Sequence, residues 1–256
     1  MLRTLLDLRN YGLRAIDKDL GSVEDFYFDD RLWTVRYLVA DTGNWLSGRT
    51  VLIGLEALGP PNEEDRVFPV SLTSTEVENS PGIESDLPFS LEKERELRLF
   101  FQWREYWDDE IFIQRTGYSP LGSPGFGAAE GSPPGQPANT PAAVHANPHL
   151  RSANEVQGYA IRAQDGDIGH VEDFLIREPS WEIRYLVMKT GNWLSGKKFL
   201  ISPLWVQSID WSHQALELDM TREKIEKSPE FSVGKPLTKD DEARLYDHYG
   251  KQRDWK

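Results

Sequence analysis

Two stretches of the chain alternate between hydrophobic and polar positions, and this period of two predicts β-strands with one buried face. The alternating positions are Trp33, Val35, Tyr37 and Val39 in one stretch and Trp181, Ile183, Tyr185 and Val187 in the other. In the first stretch, residues 21–28 read as the preceding strand, with a turn at residues 29–32 between the two strands. Each stretch therefore predicts an antiparallel hairpin.

Shorter signals extend both hairpins in the same order. Further strands are predicted at residues 51–53, 67–72, 199–201 and 215–220. Short helices capped by Thr73 and Thr221 should end at the Ser-Pro pairs that follow, because proline disfavours helical geometry in the residue before it. Longer helices should start near Ser90 and Thr238. Five or six short strands followed by a helix, found twice, predict an all-β fold with short helices.

The two stretches are copies of one another. Residues 14–53 align with residues 162–201 at a constant offset of 148 without a gap, and 23 of the 40 positions are identical. One register held over that length indicates an internal duplication. We therefore expect two copies of one small domain whose equivalent residues lie 148 positions apart.

A segment of different composition separates the copies. Residues 117–149 hold 7 of the 16 prolines and 6 of the 20 glycines, and Glu130 is their single acid. Such a composition is typical of a disordered linker. The predicted organisation is a first copy at residues 1–116, the linker at residues 117–149 and a second copy at residues 150–256.

The motifs that both copies share resemble the PRC-barrel family, which is named after the cytoplasmic domain of the photosynthetic reaction-centre H subunit. They occur in the order Gly-x-Val-x-Asp-Phe, Trp-x-(Val/Ile)-Arg-Tyr-Leu-Val, Thr-Gly-x-Trp-Leu-x-Gly-(Arg/Lys), (Val/Phe)-Leu-Ile and Ser-Pro. The resemblance covers roughly residues 5–107 and 153–255. It implies two small PRC-type β-barrels, each closed by a C-terminal helix.

The members of this family do unlike things. In the reaction centre the domain resembles a cap that tunes proton and electron transfer to a quinone, and in a ribosome maturation factor a similar barrel binds a ribosomal protein. No set of catalytic residues accompanies the family. The resemblance therefore implies a binding or scaffold role and no enzymatic reaction.

Composition narrows the classes of function and location. The chain has no cysteine and a formal net charge of −13. These values exclude thiolate chemistry and disfavour nucleic acid as a partner, because phosphate binding depends on clusters of Lys and Arg. No stretch approaches the roughly 18 apolar residues of a membrane span. We expect a cytoplasmic protein that is not an enzyme, with no metal, no cofactor, no catalytic residues and no membrane insertion.

Charge is distributed unequally between the copies. Residues 1–116 carry a net charge of −10 and residues 150–256 a net charge of −2. A strongly acidic surface speeds association with a basic surface and repels anionic partners. The asymmetry predicts a basic protein partner for the first copy. The alternative is an acidic surface that only keeps the protein soluble.

Two equivalent loops contain the candidate partner contacts. They are Asn44 and Trp45 in the first copy and Asn192 and Trp193 in the second, and each pair follows a glycine. Glycine and asparagine supply left-handed turn geometry. The tryptophan then either folds back over the barrel or projects as an aromatic anchor for a partner. Exposure of the indole distinguishes the two arrangements.

Structural ion pairs are predicted from the hairpin register. A four-residue turn between the hairpin strands would set Asp25 opposite Arg36, and the second copy would pair Asp173 with Arg184 in the same way. The two arginines would then be structural and would not bind a ligand.

Three functional hypotheses follow. The favoured one is a non-catalytic tandem binding or scaffold protein that serves as an adaptor to a membrane-associated or ribosomal assembly. The second is a regulator of electron or proton transfer in a complex like the photosynthetic reaction centre, which co-purification with a quinone-binding complex would favour. The third is a hydrolase that uses converging carboxylates in a cleft between the barrels.

Overall fold

The computed structural model describes residues 1–43, 45–46, 49–81, 90–108, 149–191, 197–253 and 255. Within them the chain is mostly β-structure with a few short helices, as the hydrophobic pattern predicts. The predicted linker lies outside the described residues except for His149.

Within the described residues, the first copy contributes six strands and three α-helices. Its strands are β1 (Leu2–Thr4), β2 (Gly12–Arg14), β3 (Asp19–Asp29), β4 (Thr34–Asp41), β5 (Val51–Gly54) and β6 (Val67–Pro69). Its helices are α1 (Leu5–Leu8), α2 (Ser74–Asn79) and α3 (Leu91–Phe100), with 3-10 turns at Leu55–Ala57 and Tyr106–Asp108. Strands β3 to β6 and helices α2 and α3 occur in the predicted order.

The second copy repeats this order with one additional strand. Its strands are β7 (Leu150–Ser152), β8 (Ala160–Ala163), β9 (Gly166–Arg177), β10 (Glu182–Thr190), β11 (Lys198–Ile201), β12 (Val206–Asp210) and β13 (Ala215–Leu218). Its helices are α4 (Ala153–Val156), α5 (Arg222–Glu226) and α6 (Lys239–Tyr249), with a 3-10 turn at Pro203–Trp205. The first copy has Pro60 and Pro61 within the segment equivalent to β12, and proline has no N–H to donate to a strand ladder.

The strands of both copies hydrogen-bond into one sheet. Its order is β12-β13-β8-β9-β10-β4-β3-β2-β6, with β1 on β9, β5 on β4, β7 on β3 and β11 on β10. No ladder among the described strands joins the two ends of this path, so the sheet is open. The predicted pair of separately closed barrels is not confirmed, because each copy takes a strand from the other.

Each copy lends its N-terminal segment to the other. In the first arm, residues 1–9, strand β1 pairs antiparallel with β9. In the second arm, residues 149–157, strand β7 pairs antiparallel with β3. Within each copy, the pairing of β2 with β3 and of β8 with β9 covers only the first part of the long strand. The arms therefore satisfy backbone groups that each copy leaves open at the far ends of its own long strand.

The copies also meet at the entrances of β4 and β10. Trp33 and Trp181 both have left-handed backbones, with φ of 51° and 57°. The Trp181 carbonyl accepts a hydrogen bond from Val35 N at 3.0 Å, and the Trp33 carbonyl accepts one from Ile183 N at 2.6 Å. Because these contacts repeat at the offset of 148, they define a pseudo-twofold axis. The predicted duplication is confirmed.

One hydrophobic core crosses the boundary between the copies. The ring centroids of Phe28 and Phe174 lie 5.7 Å apart, and those of Phe26 and Trp181 lie 6.3 Å apart. Leu5 of the first arm is fully buried within the same core. Separating the copies would expose these apolar surfaces to water. The two copies are therefore coupled in stability.

Helix starts follow the predicted capping signals. Thr73 and Thr238 form capping boxes at α2 and α6, and the side chains of Ser90 and Thr221 cap α3 and α5. These bonds satisfy backbone N–H groups that the first helical turn leaves without partners. No helix among the described residues is both long and apolar enough to cross a lipid bilayer.

Gly169 should not tolerate a side chain, because a Cβ there would lie 2.0 Å from the Lys189 carbonyl oxygen on the adjacent strand. We expect Gly169→Ala to lower the free energy of unfolding by about 3 kcal/mol through overpacking. The control is Gly234→Ala, where the added Cβ meets open space and only the left-handed backbone costs about 1 kcal/mol. Urea denaturation followed by circular dichroism measures both losses, and equal losses would contradict the steric explanation.

Candidate functional site

The glutamates Glu24 and Glu172 are equivalent β-bulge residues with different surroundings. In the second copy, Glu172 forms ion pairs with Lys189 at 3.3 Å and with Lys198 at 2.7 Å. Partial burial acts to raise the pKa of Glu172, but the hydrogen bonds and charges of the two lysines lower it overall. The chain itself therefore neutralises this glutamate.

In the first copy, Asp41 and Thr50 stand where the second copy has the two lysines. Glu24 and Asp41 are exposed, and both line a depression of about 260 Å³ together with Thr50 and Arg49. Arg49 reaches away to the end of α2, where it donates to Ser80 Oγ at 3.1 Å. We call Glu24, Asp41 and Thr50 the acidic notch.

The alignment of the two copies carries a signal for this site that the hydrophobic pattern and the shared motifs do not. The offset of 148 sets Asp41 against Lys189 and Thr50 against Lys198. The alignment does not show that these positions share one surface with the bulge glutamate. A bulge redirects the side chain of its extra residue, and this geometry brings the three positions of each copy together.

The predicted partner contact Trp45 lies in the loop beside the acidic notch. Its side chain is half-buried against the core, and the Lys18 ammonium lies 3.6 Å from a ring centroid. A cation at that distance binds the face of the indole. The role of Trp45 as an anchor stays a prediction, and Asn44, Asn192 and Trp193 lie outside the described residues.

The hairpin register contradicts both predicted ion pairs, which are Asp25 with Arg36 and Asp173 with Arg184. The ladders place the aspartates opposite Val39 and Val187, three positions beyond the arginines. The turn of the first hairpin spans residues 30–33 instead of 29–32. Each arginine is also the extra residue of a second bulge, which shifts the pairing by one more position.

Asp25 and Asp173 instead cap the helices of the exchanged arms. Asp25 accepts a hydrogen bond from the Asn154 backbone N–H at 3.0 Å, and Asp173 accepts one from the Leu6 N–H at 3.1 Å. Each carboxyl group also bonds the hydroxyl of the N-cap residue of the arm helix, which is Ser152 for Asp25 and Thr4 for Asp173. A buried side chain of each copy therefore holds the first turn of a helix that belongs to the other copy.

Burial raises the pKa of both aspartates, and that of Asp173 rises to about 6. Hydrogen bonds and the Arg9 guanidinium oppose part of this shift. Arg9 Nη1 donates to Gln157 Oε1 at 2.9 Å. Because Arg9 and Gln157 are equivalent residues, they meet on the pseudo-twofold axis. Arg9 is thus a cation shared by the two buried carboxyl groups.

The bulge arginines Arg36 and Arg184 contact the C-terminal segments of their copies. The guanidinium carbon of Arg36 lies 4.0 Å from the Tyr106 ring centroid. That of Arg184 lies 4.9 Å from the Trp255 ring, and Arg184 Nε lies 3.4 Å from Glu242 Oε1. Their contacts therefore connect each hairpin to the C-terminal segment of its copy.

A buried hydrogen bond between tyrosine and glutamate fastens the C-terminal helix of each copy to its hairpin. Tyr37 donates to Glu94 at 2.8 Å, and Tyr185 donates to Glu242 at 2.7 Å. Burial raises the pKa of both tyrosines, so they keep the proton that they donate. Arg98 Nη1 donates to the Tyr37 hydroxyl at 2.9 Å. These buried polar groups support α3 and α6.

A cleft of about 820 Å³ lies where the first arm meets both copies. The carboxylates that line it are paired with arginines. Glu63 and Glu178 both pair with Arg3, and Glu56 pairs with Arg98. A carboxylate-dependent hydrolase needs two carboxyl groups that converge on one bond. The carboxylates of this cleft are engaged in ion pairs instead.

Two further acids, Asp17 and Asp165, act as helix caps. Asp17 accepts a hydrogen bond from Ser74 N at 2.7 Å at the start of α2, and Asp165 accepts one from Arg222 N at 2.8 Å at the start of α5. Within the described residues, no group of three or more His, Asp or Glu side chains is placed to hold a metal ion.

Comparison with family models gives two matches to the PRC-barrel domain, at residues 6–68 and 148–223. Together the matched segments span more than half of the chain, and they fall on the two copies. The acidic notch lies within the first match. A comparison with curated proteins gives no match.

The raised pKa of Asp173 predicts a pH-dependent stability. A carboxyl group whose pKa is higher in the folded state stabilises the fold below its unfolded pKa, and this contribution is lost as the pH rises through about 6. Replacing Asp173 by Asn removes the ionisation. We therefore expect the stability of Asp173→Asn relative to the wild type to increase by about 2–3 kcal/mol between pH 4 and pH 7.

Urea denaturation at the two pH values measures this difference. The exposed Glu226→Gln serves as the control for the loss of one acid from the surface. A stability difference between Asp173→Asn and the wild type that is the same at both pH values would contradict the prediction.

Proposed function

The chain belongs to the PRC-barrel domain family, and we propose that it is a non-catalytic scaffold that binds a basic protein partner through the acidic notch of its first copy. The family supports a scaffold or binding role. The negative charge of the notch indicates the chemistry of the partner, which is a protein surface that carries Lys or Arg.

The observation that carries this proposal is the difference between the two bulge glutamates. Glu172 already has two lysines within ion-pair distance. Glu24 has an acid and a threonine at the equivalent positions. The second copy therefore displays, with its own side chains, the arrangement that a partner's basic residues would complete at Glu24. Opposite charges placed in this way guide association and fix the register of a complex.

The net charges of the two copies also support a positively charged partner for the first copy. The first copy carries a net charge of −10 and the second a net charge of −2. A field of this sign attracts a basic protein at a distance and repels nucleic acid and anionic lipid. The half-buried Trp45 beside the notch would add apolar contact to the rim of the interface.

An adaptor role in a ribosomal or membrane-associated assembly of the cytoplasm fits this polarity. Ribosomal proteins have basic surfaces, and the cytoplasmic loops of membrane proteins carry an excess of Lys and Arg. A binding role is also favoured over hydrolysis, because Glu63 and Glu178 of the junction cleft are both paired with Arg3.

Charge transplantation between the copies tests the proposal. In the full chain, the double variant Asp41→Lys and Thr50→Lys gives Glu24 the two lysines that Glu172 already has. The notch is then neutralised internally, so we expect capture of a basic partner in affinity purification to fall at least about tenfold. Wild-type capture should weaken between low and high salt, because exposed charges are screened.

The matched control is Glu226→Lys with Ser208→Lys, which makes the same change in net charge at exposed positions of the second copy. This control should retain capture, because the notch is intact. Mass spectrometry identifies and quantifies the captured proteins. Capture that is insensitive to salt, or equal in both double variants, would refute the notch as the binding site.

A further inference from the structure

We infer that the two copies form, within one chain, the interface of a strand-exchanged dimer, and that this interface is selective for one first copy and one second copy. The surface by which each copy contacts the other fits the other PRC-type repeat of this chain. A second molecule of the same repeat fits it less well. This selectivity does not depend on what the acidic notch binds.

The contacts between the copies occur in reciprocal pairs. Arg3 Nε pairs with Glu178 at 3.0 Å, and Arg151 Nε pairs with Asp30 at 3.0 Å. Arg151 lies 148 positions after Arg3, and Asp30 lies 148 positions before Glu178. The second ion pair is therefore the first with the two copies interchanged. The exchanged strands, the capping aspartates and the tryptophan carbonyls follow the same rule. Reciprocal contact of this kind defines the interface of a twofold dimer.

The two residues that meet on the pseudo-twofold axis break this symmetry, because only one of them is charged. Arg9 of the first arm bonds Gln157 of the second arm at 2.9 Å, and its charge acts on both Asp25 and Asp173. Two first copies would bring two arginines together at this point. Two second copies would place two glutamines there and leave both buried carboxyl groups without that cation. The mixed pair supplies one arginine for the two carboxyl groups to share.

The buried side chains of the two arms also differ in size, and each set matches the side chains of the strand that the arm pairs with. The buried, equivalent helix positions are Leu5 and Leu8 in the first arm and Ala153 and Val156 in the second. The arms pair with Ile176 on β9 and with the equivalent Phe28 on β3, and both of these side chains are buried in the same core as the helix positions. The larger arm therefore meets the strand with aliphatic side chains, and the smaller arm meets the aromatic strand. Self-pairing would overpack one interface and leave cavities in the other.

Cleavage of the folded full chain tests this inference. A protease site is introduced within residues 117–149, the protein is purified and cut, and its state is measured by size-exclusion chromatography. We expect both halves to elute together as one complex, because the interface does not require the linker. Elution as separate halves would overturn the dimer interface.

Selectivity is measured after the cut halves are unfolded together and refolded as a mixture. Native mass spectrometry then counts the mixed dimer and the two homodimers. We expect the mixed dimer to exceed each homodimer by about tenfold or more. Indifferent pairing gives only a twofold excess of the mixed dimer over each homodimer, and that distribution would overturn the selectivity.

A single substitution at the axis separates charge from packing. Arg9→Gln removes the repulsion between two first copies and the shared cation of the mixed pair, so the excess of the mixed dimer should fall towards twofold. Arg162→Gln removes an exposed arginine that pairs with Asp167 and Glu217 of its own copy, and it should leave the distribution unchanged. Identical distributions for the two variants would overturn the role of the axis.

Discussion

The backbone groups at the far ends of β3 and β9 are the constraint on which this structure depends. Each strand has one neighbour, β4 or β10, from its fourth residue to its end, but its second neighbour within the same copy covers only the first part. Unpaired N–H and C=O groups inside a core are costly. Exchange of the two arms supplies the missing pairs, and the buried aspartates then hold the arm helices in place.

Much of the fold could be predicted from the sequence because its signals are local. Alternation at residues 33–39 marks a strand, Thr73 and Thr238 mark helix starts, and the constant offset marks the duplication. The exchange is not local. Strand β1 has only three residues, too few for a pattern of hydrophobic and polar positions to indicate its strand partner. Nothing in a single repeat indicates which of the two it joins.

The candidate site was less predictable because it depends on two β-bulges. The turn at residues 30–33 alone would set Asp25 opposite Leu38 instead of Arg36, and the bulges make Arg36 and Glu24 extra residues with redirected side chains. The notch exists because Glu24 sits on such a bulge. The duplication then allowed one copy to keep a neutralised glutamate while the other left the same position acidic, so one fold presents two different surfaces.

The exchange of arms also sets the order in which the chain can fold during synthesis. During synthesis, Leu2 leaves the ribosome long before its strand partner Arg177. Strand β3 likewise waits for residues 150–152. Native contacts with such large sequence separation form slowly, because a long loop must close before they stabilise anything. The first copy therefore remains an incomplete sheet until the arm of the second copy has been synthesised, and until then the end of β3 is an open edge that a chaperone would have to shield from other chains.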